Sequence, residues 1–157
     1  MLIIGIDPGT ATTGWGVIEK TKNAVKYLGC GCIKTPAKLS DEKRLGIIFA
    51  ELTKIVNKFK PHQMALEKLY FGSNTKTAMG VGQARGVILL GANETGLAVF
   101  EYNPLHVKMA VTGFGRADKR QVQQMVKTLL NLEKIPRPDD AADALAIAMC
   151  HAHTYRF

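Results

Sequence analysis

The sequence predicts an α/β protein built on a mixed β-sheet. Three observations lead there. Strand-like runs fill the first 34 residues, helix-periodic segments then alternate with two further apolar strand runs, and no repeat or linker divides the 157 residues. Early strands followed by helix, strand, helix, strand and closing helices make a sheet covered by helices.

Met1 to Asp7 is a short apolar run that ends at "DPGT", a strand running into a turn. "GWGVIEK" (14–20) and "AVKYLGCGCIK" (24–34) are two more strands, with "KTKN" as the hairpin turn between them. Ser40 or Asp41 caps the next segment, where Leu45, Ile48, Phe49, Leu52, Ile55, Val56 and Phe59 recur at helical spacing until Pro61 stops it. "QMALEKLYF" (63–71) is a fourth strand, followed by the polar loop "GSNTK". A glycine-bearing helix spans 77–96, then a strand "LAVFEYN" spans 97–103. Asn103 caps a short helix with Pro104 at its first position. After the loop "TGFGRA", Asp118 caps an amphipathic helix to residue 132. The last helix runs through "DDAADALAIAMCHAH", with His151 and His153 at a fraying tail.

Composition narrows the function classes. The hydrophobic fraction is 46%, and no apolar run is long enough to cross a bilayer. The N-terminus has no basic region before its apolar run and no small-residue cleavage site, so a cytoplasmic location is expected. Cys30, Cys32 and Cys150 cannot all pair within the chain and are expected as free thiols rather than zinc ligands. Lys and Arg total 21 against 13 Asp and Glu, a net charge of +8 that favours a polyanionic partner, nucleic acid above all.

The glycines of "GVGQARG" follow a polar loop rather than a strand, which argues against a dinucleotide-binding turn. Small residues there let another backbone approach closely, within the chain or across a subunit interface. The acidic residues carry more chemistry. Asp7 ends the first strand, Glu67 lies in the fourth, and Asp139, Asp140 and Asp143 crowd the first turns of the last helix. Capping accounts for Asp139. Asp140 and Asp143 are three apart and share a face. If the first and fourth strands are neighbours and the last helix packs over them, four carboxylates converge, and such a cluster repels itself unless a cation is present. Oxygen-only ligands suit Mg²⁺, and two such ions about 3.5–4 Å apart are the usual means of cleaving a phosphodiester.

Three pieces in this order, "GIDPGTATTGWGVIE", "ALEKLYFGSNTKTAMGVGQARG" and "DDAADALAIAMCHAH", resemble the bacterial RuvC-type Holliday-junction resolvases over essentially the whole chain. The resemblance implies one ribonuclease H-like nuclease domain over 1–157, a mixed five-stranded sheet flanked by helices. It implies a homodimer that nicks two opposed strands of a four-way DNA junction in recombination and repair, leaving 5′-phosphate and 3′-hydroxyl ends. It implies Mg²⁺ (two ions per site, with Mn²⁺ as a substitute) on Asp7, Glu67, Asp140 and Asp143, with Asp139 the alternative to Asp140 if the register slips by one. It implies an aromatic that stacks on bases, here Tyr70 or Phe71. It also implies DNA contacts by Lys108 and Lys119, to which the neighbouring Arg120 and Lys68 are added as candidates. A branch-migration helicase is the implied partner.

Other readings remain open on the residues alone. "GIDPGT" also resembles the first phosphate loop of actin-like and sugar-kinase ATPases, though such proteins need two related domains. A junction-binding protein without catalysis is another, and a general ribonuclease H-type nuclease is the nearest, since a metal site does not distinguish substrates.

Overall fold

A computed structural model of the chain describes residues 1–69 and 75–155. Three strands open it: β1 (Leu2–Asp7), β2 (Thr12–Lys20) and β3 (Val25–Lys34). Helix α1 (Asp41–Phe59) leads to β4 (Gln63–Glu67), and α2 (Thr75–Glu94) to β5 (Ala98–Tyr102). Helices α3 (Pro104–Thr112), α4 (Lys119–Leu129) and α5 (Asp139–Thr154) follow. The sheet order is β3-β2-β1-β4-β5. β1, β2 and β3 pair antiparallel, whereas β1, β4 and β5 run parallel, so the sheet is mixed and five-stranded as the sequence predicts.

Strand alternation sorts the side chains into two cores. Ile4, Ile6, Val17, Met64 and Leu66 pack on one face against Ile48 and Leu52 of α1 and Ile88 of α2. Ile3, Ile18 and Ala65 face the other way, where α3, α4 and α5 supply Val107, Val122, Val126, Leu145 and Met149.

α5 is buried along nearly its whole length, and its alanines let it lie close to the sheet. The strands beneath are correspondingly bare. A Cβ on Gly5 would stand 2.1 Å from the Ala144 carbonyl oxygen, and one on Gly14 would stand 2.0 Å from that of Asp140. A Cβ on Gly16 would stand 2.7 Å from Leu145 Cγ and 2.9 Å from the Leu145 backbone nitrogen. Glycine is required at these positions because the helix backbone occupies the space of a side chain.

Several boundaries differ from the sequence reading. The described strand β4 ends at Glu67, opposite Tyr102 at the end of β5, and one last bond, from the Lys68 N–H to the Tyr102 carbonyl oxygen at 2.8 Å, closes the pairing. Tyr70 and Phe71 lie outside the described residues. Ser40 holds the N-cap position of α1, but its hydroxyl bonds the Glu42 carboxylate rather than the helix N–H groups. Asp118 caps α4 through a full capping box with Gln121, and Asn103 caps α3 through Leu105 and His106 N–H groups. The N-cap of α5 is Pro138, and Asp139 is the first helical residue with no capping bond.

His151 overturns the expectation of a fraying tail. It is fully buried, with Nδ1 2.6 Å from the Tyr102 hydroxyl and Nε2 2.7 Å from Gln63 Oε1. Burial, reinforced by the Lys20 charge, pushes its pKa down to about 4, so the ring is neutral at pH 7. A neutral ring satisfies both bonds by accepting from Tyr102 and donating to Gln63. This ties the end of α5 to β4 and β5. Cys30 and Cys32 are half-buried free thiols and Cys150 a buried one.

Close docking of α5 predicts two opposite glycine effects. Gly5→Ala drives a methyl into helix backbone and is expected to cost about 3 kcal/mol or more in denaturant unfolding. Gly46→Ala, at an exposed position of α1 with nothing within 4 Å of the new methyl, is expected to gain about 0.4–1 kcal/mol. Equal effects from the two would refute the close-docking account.

Candidate active site

β1 and β4 are parallel neighbours in the register Gly5↔Ala65 and Ile6↔Leu66, so Asp7 and Glu67 leave the sheet side by side. Asp7 is opposite Gly14 of β2, and the Cβ missing from Gly14 would lie 3.0 Å from Asp140 Cβ. That bare strand position brings the start of α5 over the strand ends. Asp143 follows one turn later on the same face. Three separate elements thus carry four carboxylates to one mouth of the sheet.

The electrostatics record how close they are. Asp7 is pushed up to about 8, first by burial and then by the charges of Glu67, Asp143 and Asp140, with Lys119 opposing. Glu67 is raised by burial and then by Asp143, with Lys108 opposing. Asp143 is raised by burial, against the pull of Lys119, and Asp140 and Asp139 reinforce the rise. Lys119 Nζ lies 3.0 Å from the Asp143 carboxylate and 3.8 Å from that of Asp139. Its own pKa is raised, chiefly by the hydrogen bond to Asp143. Among the described residues, no three acidic, histidine or cysteine side chains converge closely enough to hold one ion between them as they stand.

Beside the carboxylates a cavity of about 260 Å³ is lined by Glu67, Lys108, Lys119 and Asp143, with Val107 and Ile147 as apolar wall. A pit with acids on one side and two cations on the other can take a metal-bridged anion such as a phosphodiester.

The residues singled out from sequence that lie within the described chain fall into three groups. Asp7, Glu67, Asp140 and Asp143 come together, and Lys108 and Lys119 stand beside them. Asp140 rather than Asp139 faces Asp7, while Asp139 turns to Arg137 and Lys119. Lys108 is half-buried on α3, which buries Val107 and Val111 and leaves Leu105 and Met109 exposed. Lys68 and Arg120 are exposed side chains outside the pit's lining. Tyr70 and Phe71 fall outside the described residues.

Arg85 is the positioning residue that sequence reasoning missed. It is largely buried, donates to the Glu67 carbonyl oxygen at 2.7 Å and pairs with Glu101 of β5. The end of β4 is therefore held by a guanidinium from α2. The available signal was an arginine among small and apolar residues in "GQARGV", where a buried charge requires a partner.

A raised carboxyl pKa sets a sign for stability. The folded state keeps the Asp7 proton to about pH 8, whereas the unfolded chain releases it near the ordinary aspartate value of 3.8. Its contribution is full below that lower value and is lost as pH rises through about 8. In chelator, Asp7→Asn should flatten the fall in melting temperature across this window. An unchanged pH profile would show that Asp7 ionises normally.

Comparison with known proteins accords with this geometry. The family model described as crossover junction endodeoxyribonuclease RuvC matches residues 3–151. A protein of that name from Halothermothrix orenii is 55% identical over 99% of this chain and 94% of its own length. One from Moorella thermoacetica is 56% identical over 97% and 91%. The structure of T. thermophilus RuvC in complex with Holliday junction substrate superposes with a TM-score of 0.91 at 38% identity, covering 98% of this chain and 93% of that one. From the first strand to the last helix, this chain belongs to the RuvC family of crossover junction endodeoxyribonucleases.

Proposed function

We propose that this protein resolves four-way DNA junctions by paired, metal-dependent hydrolysis of phosphodiesters in symmetric strands, leaving 5′-phosphate and 3′-hydroxyl nicks. The observation that carries the reading is the gathering of Asp7, Glu67, Asp140 and Asp143 at one mouth, buried enough to hold Asp7 up to about 8. A carboxylate cluster of this kind is unstable by itself at neutral pH, and a hard divalent cation is what relieves it. The donor set is all oxygen, which fits Mg²⁺ and, with less discrimination, Mn²⁺. Asp7, Glu67, Asp140 and Asp143 would hold such ions, which would activate a water and offset the charge that develops on the leaving 3′ oxygen.

The chain's own residues supply the rest. Lys108 and Lys119 place two cations on the cavity wall facing the acids, where they bind the scissile phosphate and offset its charge. Lys119, already on Asp143, shields that carboxylate in the free protein. Lys68 and Arg120 extend the positive surface around the pit, and Tyr70 or Phe71 stacks on bases at the crossover, in keeping with the resemblance. The net charge of +8 draws the polyanion to the surface.

One site cuts one strand, so symmetric resolution calls for two copies related by a two-fold axis. α2 is the candidate surface in this single nuclease domain: Met79, Leu89 and Leu90 are exposed apolar side chains on it, and Gly86 faces open space. A branch-migration helicase belongs to the same reading.

Cleavage of a synthetic mobile four-way junction, beside matched linear duplex and RNA–DNA hybrid, tests the proposal. Paired nicks on the junction alone are expected with Mg²⁺ and not with chelator. Asp7→Asn and Asp143→Asn should each slow cutting by more than about 100-fold, beyond what outer-sphere partners of a metal cost. Cutting of the hybrid instead would transfer the site to a ribonuclease H-type activity, and junction binding without cutting would overturn the catalytic reading.

A further inference from the structure

A second cleft opens on the other side of the acids, away from Lys108 and Lys119. Its volume is about 610 Å³, and its lining includes Thr10, Thr12, Asp41, Arg44, Gly80 and Asp140. Asp140 thus borders this cleft, whereas Asp143 and Glu67 border the other. A strand laid across the acids would meet cations at both sides, the lysines at one and Arg44 at the other.

Arg44 is built into its place. Its Nε donates to Thr35 Oγ1 at 2.9 Å, and that hydroxyl donates to the Thr10 carbonyl oxygen at 2.6 Å. The Thr35 N–H donates to the Ala11 carbonyl oxygen at 3.1 Å. Thr35 is itself buried, at 7% exposure, so the anchor is not a solvent contact. The same turn is braced by Thr13, whose hydroxyl donates to the Gly9 carbonyl oxygen at 2.7 Å. α2 closes over it at Gly80, where a Cβ would lie 3.0 Å from Thr10 Oγ1. The guanidinium is thereby oriented through one nitrogen.

Among the described residues, its other two nitrogens have no hydrogen-bond partner. Among the described residues, no carboxylate lies within 4.0 Å of Arg44, although Asp41 shares the cleft. Arg85, by contrast, is consumed by Glu101 and the Glu67 carbonyl. A half-buried guanidinium fixed through Nε and open at both terminal nitrogens suits bidentate recognition of a phosphate.

We propose that Arg44, oriented by Thr35, binds a backbone phosphodiester neighbouring the one that is cut, on the side of the acids opposite Lys108 and Lys119. The ligand is a DNA phosphate read without regard to base, and Arg44 acts by fixing the register of the strand over the carboxylates. This rests on the resolvase reading for the identity of the strand.

Junction binding in Ca²⁺ and in chelator tests it, comparing wild type with Arg44→Gln over a range of salt. The variant is expected to bind about 10-fold more weakly, as fits loss of a charge-assisted contact. Its salt slope should fall by about 0.9, one phosphate's share. A set of junctions, each with a single neutral methylphosphonate near the cut site, supplies the sharper readout. Wild type should lose affinity at one flanking position to which Arg44→Gln is insensitive. If Arg44→Gln melts early, Arg44→Lys replaces it: a lone ammonium cannot reproduce the fork, so reduced sensitivity at that position is still expected. Equal affinity and salt slope, or equal sensitivity at every position, would overturn the assignment even if wild type cuts junctions normally. Failure of wild type to cut would instead strike the resolvase reading, leaving the Arg44 contact to be judged by binding.

Discussion

The approach of α5 to the sheet is the constraint on which the rest of the molecule depends. Helix backbone lies where Cβ atoms of Gly5 and Gly14 would be, and alanines on the helix complete the contact. The gain is more than apolar burial. Because Asp140 and Asp143 sit at the start of this helix, seating it against β1 and β2 delivers both carboxylates to the strand ends that carry Asp7 and Glu67. A helix held off by ordinary side-chain thickness would leave these acids separated and solvated.

The arrangement concentrates cost at one end. Asp7 held up to about 8 is a carboxyl kept from its preferred ionised state by burial and by its neighbours. Near the opposite end of α5, buried His151 bridges Tyr102 and Gln63. Arg85 likewise holds the end of β4 from α2. Firm supports around an electrostatically strained centre are what a site for a divalent cation and a phosphodiester requires, since the protein must maintain the repulsion until the ligand relieves it.

Cations are distributed around the acids by element. Lys108 on α3 and Lys119 on α4 border one cleft, and Arg44 on α1 borders the other. They differ in commitment: Lys119 is paired with Asp143, while the terminal nitrogens of Arg44 face no carboxylate within reach among the described residues. The positive charge that the composition shows in bulk therefore has local structure, set by which helix each residue occupies.

The sequence by itself determined the mixed sheet, the five strand segments and the acids, because these rest on local pattern: the short apolar run "LIIGID", helical spacing from Leu45 to Phe59, and an i,i+3 pair at Asp140 and Asp143. Its boundaries erred where neighbours decide. β4 was extended beyond Glu67 because "KLYF" has strand propensity, but a strand ends where its partners end. Asp139 looked like a cap, and His151 like part of a loose tail, because capping geometry and burial are not local properties of a side chain. Only the tertiary structure decided that Arg85 holds Glu67, that Arg44 is braced by Thr35, and that Gly14 makes room for Asp140. Each joins residues far apart in the chain, and such contacts arise from the way the elements pack, which no window of sequence contains.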